Sequence, residues 1–159
     1  MVMTFKDTLY TYYDRRILWI FLMGCASGFP WVLIGSAMSG WLKDAGLTRT
    51  AIGLFGSIFA VYAINFLWAP LLDRVKLPWL HFIGQRRSWI LLTQTIMLIL
   101  TLVIATVDPG TSLFLTSLLA FGIASASATQ DIAIDAFRID HFADSPKHQL
   151  PAASAMAVI

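Results

Sequence analysis

SWILLTQTIMLILTLVIATV, residues 88–107, runs for twenty residues without a charge. At about 1.5 Å per residue, a helix of that length crosses a hydrocarbon core of about 30 Å. Similar apolar runs flank it, at residues 17–41, 51–72 and 113–137, and a further run opens at Pro151 and stops at Ile159. The first of these is interrupted only by glycines and Pro30, and it is longer than the apolar core of about 7–15 residues in a secretory signal. Its reading is an uncleaved membrane helix. The whole chain follows the same pattern, with 58% hydrophobic residues, 13% charged residues and a mean hydropathy of +0.73. Soluble domains carry about 25% charged residues, so this composition cannot coat a water-soluble surface. The fold class expected is an all-α membrane protein, a transmembrane bundle of four helices with the start of a fifth.

The polar segments set the orientation. Lysines and arginines number three in residues 1–16, four in the segment 73–87 and two in 138–150, against two in the segment 43–50. That is nine against two, which places the N-terminus in the cytoplasm. Asp108-Pro109-Gly110 reads as a tight turn on the opposite side. A spanning chain that stops nine residues into a helix leaves backbone polar groups unsatisfied in lipid. The chain therefore reads as the N-terminal piece of a longer protein, with a cytoplasmic segment 1–16 and a partial transmembrane domain 17–159.

Two helices are rich in small residues. The first contains Gly24-Cys25-Ala26-Ser27-Gly28, and the fourth contains Gly122-Ile123-Ala124-Ser125-Ala126-Ser127-Ala128. Small residues let helix backbones approach closely, and Gly28 is expected to be such a packing point on a substrate-facing helix. Cys25, alone in the chain, permits no intrachain disulfide and reads as a small buried packing residue.

The chemistry concentrates in Gln130-Asp131-Ile132-Ala133-Ile134-Asp135-Ala136-Phe137-Arg138. Asp131, Asp135 and Arg138 are spaced i, i+4, i+7 and share a helix face. Ala124, Ser127 and Ala128 continue that face towards the membrane centre. An ionised Asp at mid-membrane costs about 2.5–3.5 kcal/mol, so two on one face imply a protein interior, an aqueous cavity or cationic partners. The functional reading makes Asp131 a proton carrier and Gln130 a donor and acceptor for a sugar or peptide amide. Asp135, nearer the rim, reads as structural, and the alternative for either acid is an ion pair with Arg86 or Arg87. Asn65 and Gln94 are single polar residues inside spans, suited to interhelical hydrogen bonds or to substrate contact. Asp73, Arg74, Arg86 and Arg87, with Arg138, form a possible inter-helix charge clamp; a basic anchoring loop explains the charges equally well. The basic residues form no continuous stripe of the kind that binds nucleic acid. His81, His141 and His148 stand alone in loops, and no metal-ligand spacing, cofactor motif or nucleophile–base pair is present. That argues against an enzyme.

Ala69-Pro70-Leu71-Leu72-Asp73-Arg74 with Gly84-Gln85-Arg86-Arg87 resembles the motif between helices two and three of the major facilitator superfamily, G-x-L-x-D-R-x-G-R-R. Here the initial glycine is absent, and the loop between Asp73 and Gly84 is longer and holds Pro78. Gly24-Cys25-Ala26-Ser27 also echoes Gly122-Ile123-Ala124-Ser125, as the inverted three-helix repeats of that superfamily would. Ala26-Ser27-Gly28-Phe29-Pro30, Phe66-Leu67-Trp68-Ala69-Pro70-Leu71-Leu72-Asp73-Arg74 and Ser127-Ala128-Thr129-Gln130-Asp131-Ile132-Ala133-Ile134-Asp135-Ala136 closely resemble the AmpG muropeptide permeases. The resemblance runs from about Ile17 to the end. It implies a bacterial inner-membrane protein of twelve or more helices that imports anhydromuropeptides with the proton gradient for cell-wall recycling. The partners it implies are membrane lipid, protons, a muropeptide and a C-terminal half that this chain lacks, without which the piece is expected to be inactive. Two other readings stand beside it: a carrier of another anionic metabolite such as acetyl-coenzyme A, and a non-transporting four-helix membrane subunit.

Overall fold

The computed structural model describes residues 15–78, 81–142 and 154–155, and among them every regular element is helical. Four helices are long and apolar enough to cross a membrane. The chain is an all-α, multi-pass membrane protein. Helix α1 joins Arg15–Val32, a π turn at Leu33–Ala37 and Met38–Asp44. Helix α2 joins the α-helical turns Arg49–Phe55 and Ala60–Ile64 to the 3₁₀ turns Gly56–Phe59 and Asn65–Leu67. Helix α3 is Gln85–Ile104 and α4 is Leu113–Phe142.

The ends of these helices differ from the apolar runs for local reasons. Helix α1 carries Pro30 in its interior, which removes one backbone donor, and the π turn follows just after it. It ends at Gly46, whose φ of +80° suits glycine. Gly46 N donates to Lys43 O at 3.0 Å and Leu47 N to Leu42 O at 3.1 Å, a Schellman closure. Thr48 then caps α2 by accepting from Ala51 N at 3.3 Å.

The expected single span 51–72 is broken. Helix α2 stops at Leu67 and a short helix, Ala69–Arg74, starts again with Pro70 in its first turn. Proline lacks the N–H that would continue the earlier ladder and suits the first turn of a new helix. Helix α3 begins at Gln85, three residues before the expected start, because Gly84 at φ +91° turns the chain sharply into it. Arg86 and Arg87 therefore sit on the helix, not in a loop. At the far end the Asp108 turn forms as expected: Gly110 N donates to Asp108 Oδ1 at 2.9 Å and Ser112 N to Asp108 O at 3.0 Å. Helix α4 continues five residues past the expected 137, to Phe142, so Arg138 and Asp140 are helical. Arg15 and Arg16, assigned above to the polar N-terminal segment, already belong to α1. The expected fifth run lies outside the described residues except for Ser154 and Ala155, which are helical.

Helix α4 has the largest buried share of the four spans. Its Ala120, Ile123 and Ala124 form a core with Ile34, Met38 and Leu42 of α1, Phe55 and Ile58 of α2, and Ile104 of α3. Trp31 and Phe59, with ring centroids 4.7 Å apart, tie α1 to α2, and Tyr62 packs 6.0 Å from both. Large apolar side chains such as Leu54, Phe66, Leu98, Leu102 and Phe114 face outward. Such belts suit lipid and would be a liability in water. The tight point between α3 and α4 is Gly122, where a Cβ would lie 2.9 Å from Leu100 Cδ1. Gly122→Val is expected to force these helices apart and cost about 1–3 kcal/mol, read as a lower Tm of the purified protein in detergent. An unchanged Tm would show that the α3–α4 contact yields freely.

Candidate functional site

The small-residue segment of α1 and the acidic segment of α4 meet. Ser27 Oγ of α1 donates a hydrogen bond to Asp131 Oδ1 of α4, across 104 residues of sequence. Around this contact is an open cavity of about 810 Å³, within the range of about 300–1,000 Å³ usual for small-molecule sites. Its α1 wall includes Gly24, Cys25, Ser27, Gly28 and Trp31, and its α4 wall consists of Asp131, Ile134, Asp135 and Arg138. The i, i+4, i+7 face read from the sequence is therefore the α4 wall of the cavity. Phe137 points away from it, towards Arg87 and His141.

Two carboxylates and one guanidinium line this wall. Arg138 Nη2 pairs with Asp135 Oδ1 at 2.9 Å, one turn apart on the same helix. Asp135 does not reach Arg86 or Arg87, so the rim ion pair considered for it forms with Arg138 instead, and Arg138 belongs to the cavity and not to the charge clamp. Gln130 is turned inward, 1% exposed, with Oε1 lacking a partner among the described residues, and does not line the cavity. Asn65 sits on the last 3₁₀ turn of α2 and lines neither of the two main cavities. Gly28 does line the cavity, but a Cβ there would meet nothing within 4 Å, so it is an open wall position and not the expected packing point. Cys25 is exposed on the same wall, contrary to its reading as a buried packing residue.

Other side chains take part through contacts that the sequence does not reveal. Ser27 lay within a small-residue run that reads as packing. The Tyr62 hydroxyl faces Ser127 and lies within electrostatic reach of Asp131; Tyr62 Oη and Ser127 Oγ are buried without a hydrogen-bond partner among the described residues. Trp68, at the break after α2, donates from Nε1 to Thr129 Oγ1 at 3.2 Å. Trp68 thus ties that break to α4.

The clamp forms at the end of the bundle where α3 begins. Arg86 pairs with Asp73 and, at 3.2 Å, with Asp140 of α4, a carboxylate that the expected span end at 137 had left in a loop. Gln85 Nε2 donates to Leu72 O at 2.8 Å and to Asp73 O at 2.7 Å, closing the C-terminus of Ala69–Arg74. Arg87 stands 5.6 Å over the Phe137 ring. Arg74 is exposed and makes no ion pair among the described residues. Exposed pairs of this kind contribute about 0–1 kcal/mol each, so the clamp acts by fixing geometry more than by adding stability. A second cavity, about 830 Å³, lies between α1, α3 and the end of α4. Trp19, Met23, Ile90 and Leu91 line it with Arg15 and Arg87, and among the described residues no carboxylate does.

No family model matches the chain. A protein of Rickettsia felis named as a transporter, AmpG 4, is 35% identical over 143 residues, which cover 90% of this chain and 34% of that protein. The anhydromuropeptide permease of Escherichia coli is 34% identical over 140 residues, 88% of this chain and 27% of its own length. AmpG 1 of Rickettsia typhi is 39% identical over 125 residues, 78% of this chain and 28% of its own. The chain thus spans about a third of the length of these relatives, or less. Their names are those of carriers and not of enzymes. Over the stretch it shares with them, the chain belongs to the AmpG family.

Proposed function

We propose that the chain supplies the first helices of a proton-coupled importer of anhydromuropeptides in the bacterial inner membrane, serving cell-wall recycling. In this reading the fold is the major facilitator type, the N-terminus and the clamp face the cytoplasm, and a C-terminal half completes the cavity. The observation that carries it is the Ser27–Asp131 hydrogen bond at the wall of a cavity between α1 and α4. An ionised Asp131 accepts from Ser27 and holds the two helices together. Closing a cavity over an ionised carboxylate is costly in a low-dielectric interior, and closing it over a neutral one is not. Protonation of Asp131 leaves it an oxygen that accepts from Ser27 and permits the closed state. Trp31 on the same wall offers a ring face to a sugar, and Ser27 and the two carboxylates offer partners to hydroxyls and acetamides. The test is uptake of a radiolabelled anhydromuropeptide by vesicles containing both halves under an imposed inward proton gradient. Accumulation that a protonophore collapses is expected. Uptake indifferent to the protonophore removes proton coupling, and no uptake by correctly inserted protein removes the substrate.

A further inference from the structure

Arg138 is a half-used cation. Its side chain is 15% exposed, yet its partner Asp135 is 60% exposed. Nη2 meets Asp135 Oδ1 at 2.9 Å, while Nε is buried with no partner among the described residues. A guanidinium has five N–H donors in a rigid fork that fits a carboxylate with two parallel bonds. Here the cation is recessed in the cavity wall and its anion is a solvent-facing side chain on the same helix, free to swing away by its own rotamers. A fixed, under-satisfied cation with an easily displaced counter-ion is arranged to accept an anion from outside.

We propose that Arg138 reads a carboxylate of the transported molecule, with Asp135 as its resident counter-ion while the cavity is empty. This rests on the muropeptide reading and deepens it, since the peptide of a muropeptide carries carboxylates. It makes Arg138 a specificity-determining residue: a ligand with a free carboxylate displaces Asp135 and forms charge-assisted, bidentate bonds, and its carboxamide counterpart does not.

The test uses two probes, an anhydromuropeptide with one free carboxylate and the same molecule with that group amidated, binding to both halves together in lipid nanodiscs. The native protein is expected to bind the carboxylate form about tenfold more tightly, the ratio that about 1.4 kcal/mol produces. Arg138→Gln should bring the ratio to about one, and Arg138→Lys should keep part of it. Asp135→Asn should raise affinity for the carboxylate form several-fold, because the internal competitor is gone. A purely structural ion pair predicts the opposite, with both variants losing folded protein and neither altering the ratio. Equal affinity of the native protein for the two probes overturns the assignment of Arg138 alone. So does a ratio that survives Arg138→Gln, or weaker carboxylate binding by folded Asp135→Asn. Absence of binding by either probe overturns the muropeptide reading, and the assignment falls with it. If Arg138→Gln fails to fold, the native ratio and Asp135→Asn still decide.

Discussion

Asp131→Asn is expected to abolish accumulation of substrate against its gradient while leaving exchange of substrate across the membrane intact. Asparagine keeps the size of the side chain, and its Oδ1 can still accept from Ser27 Oγ, so the α1–α4 contact seen in the structure survives. What it loses is the capacity to take up and release a proton. In vesicles with an imposed pH gradient, the native protein should concentrate labelled muropeptide, and the variant should only equilibrate it, an inside-to-outside ratio of about one. Counterflow from vesicles preloaded with unlabelled substrate should persist, because binding and reorientation do not need the proton to be released. Loss of counterflow together with accumulation would make Asp131 a structural residue. Accumulation equal to that of the native protein would leave it no part in coupling.

Gly28→Leu is expected to reduce uptake by roughly tenfold or more without lowering the Tm. A Cβ at Gly28 would meet nothing within 4 Å, and the residue lines the cavity, so the isobutyl group extends into the space that the substrate needs. The first carbon of the new side chain displaces no neighbour, and projection into an open cavity avoids the overpacking cost of about 1–3 kcal/mol of a filled core. Gly122 is the internal contrast, because a side chain there strikes Leu100. The two glycines should separate cleanly, one variant stable and inactive and the other destabilised. Normal uptake by Gly28→Leu would place the transport route elsewhere. Gly28→Ala, with a single methyl, should fall between glycine and leucine.

The spans were legible because apolar length is a one-dimensional property of the chain. Their ends were not, since hydropathy stops at the first charges whereas a helix stops where its backbone ladder stops. Arg86 and Arg87 are helical because Gly84 turns the chain before them, and Arg138 and Asp140 are helical because α4 runs on unbroken to Phe142. The break at Trp68 follows from Pro70, which apolar counting ignores. The acidic face of α4 was legible because i, i+4, i+7 spacing is local. Its partner Ser27 was not, because nothing in the sequence couples two positions 104 residues apart. Glycines were ambiguous for a related reason. The same residue serves tight packing at Gly122 and an open wall at Gly28, and only the neighbouring helix decides which. Likewise Asp140 found its role through Arg86 of α3, a contact that depends on α4 extending past its apolar part.

The cavity between α1 and α4 as the substrate route has a direct test in Cys25, this chain's lone cysteine, exposed on that wall. The measurement is the rate at which a small maleimide modifies Cys25 in membranes containing both halves, followed by mass spectrometry of the peptide that carries it. Saturating anhydromuropeptide should slow the modification about tenfold or more, while an unrelated disaccharide should not. Modification of Cys25 at the same rate with and without the muropeptide, in protein that binds it, would contradict the account.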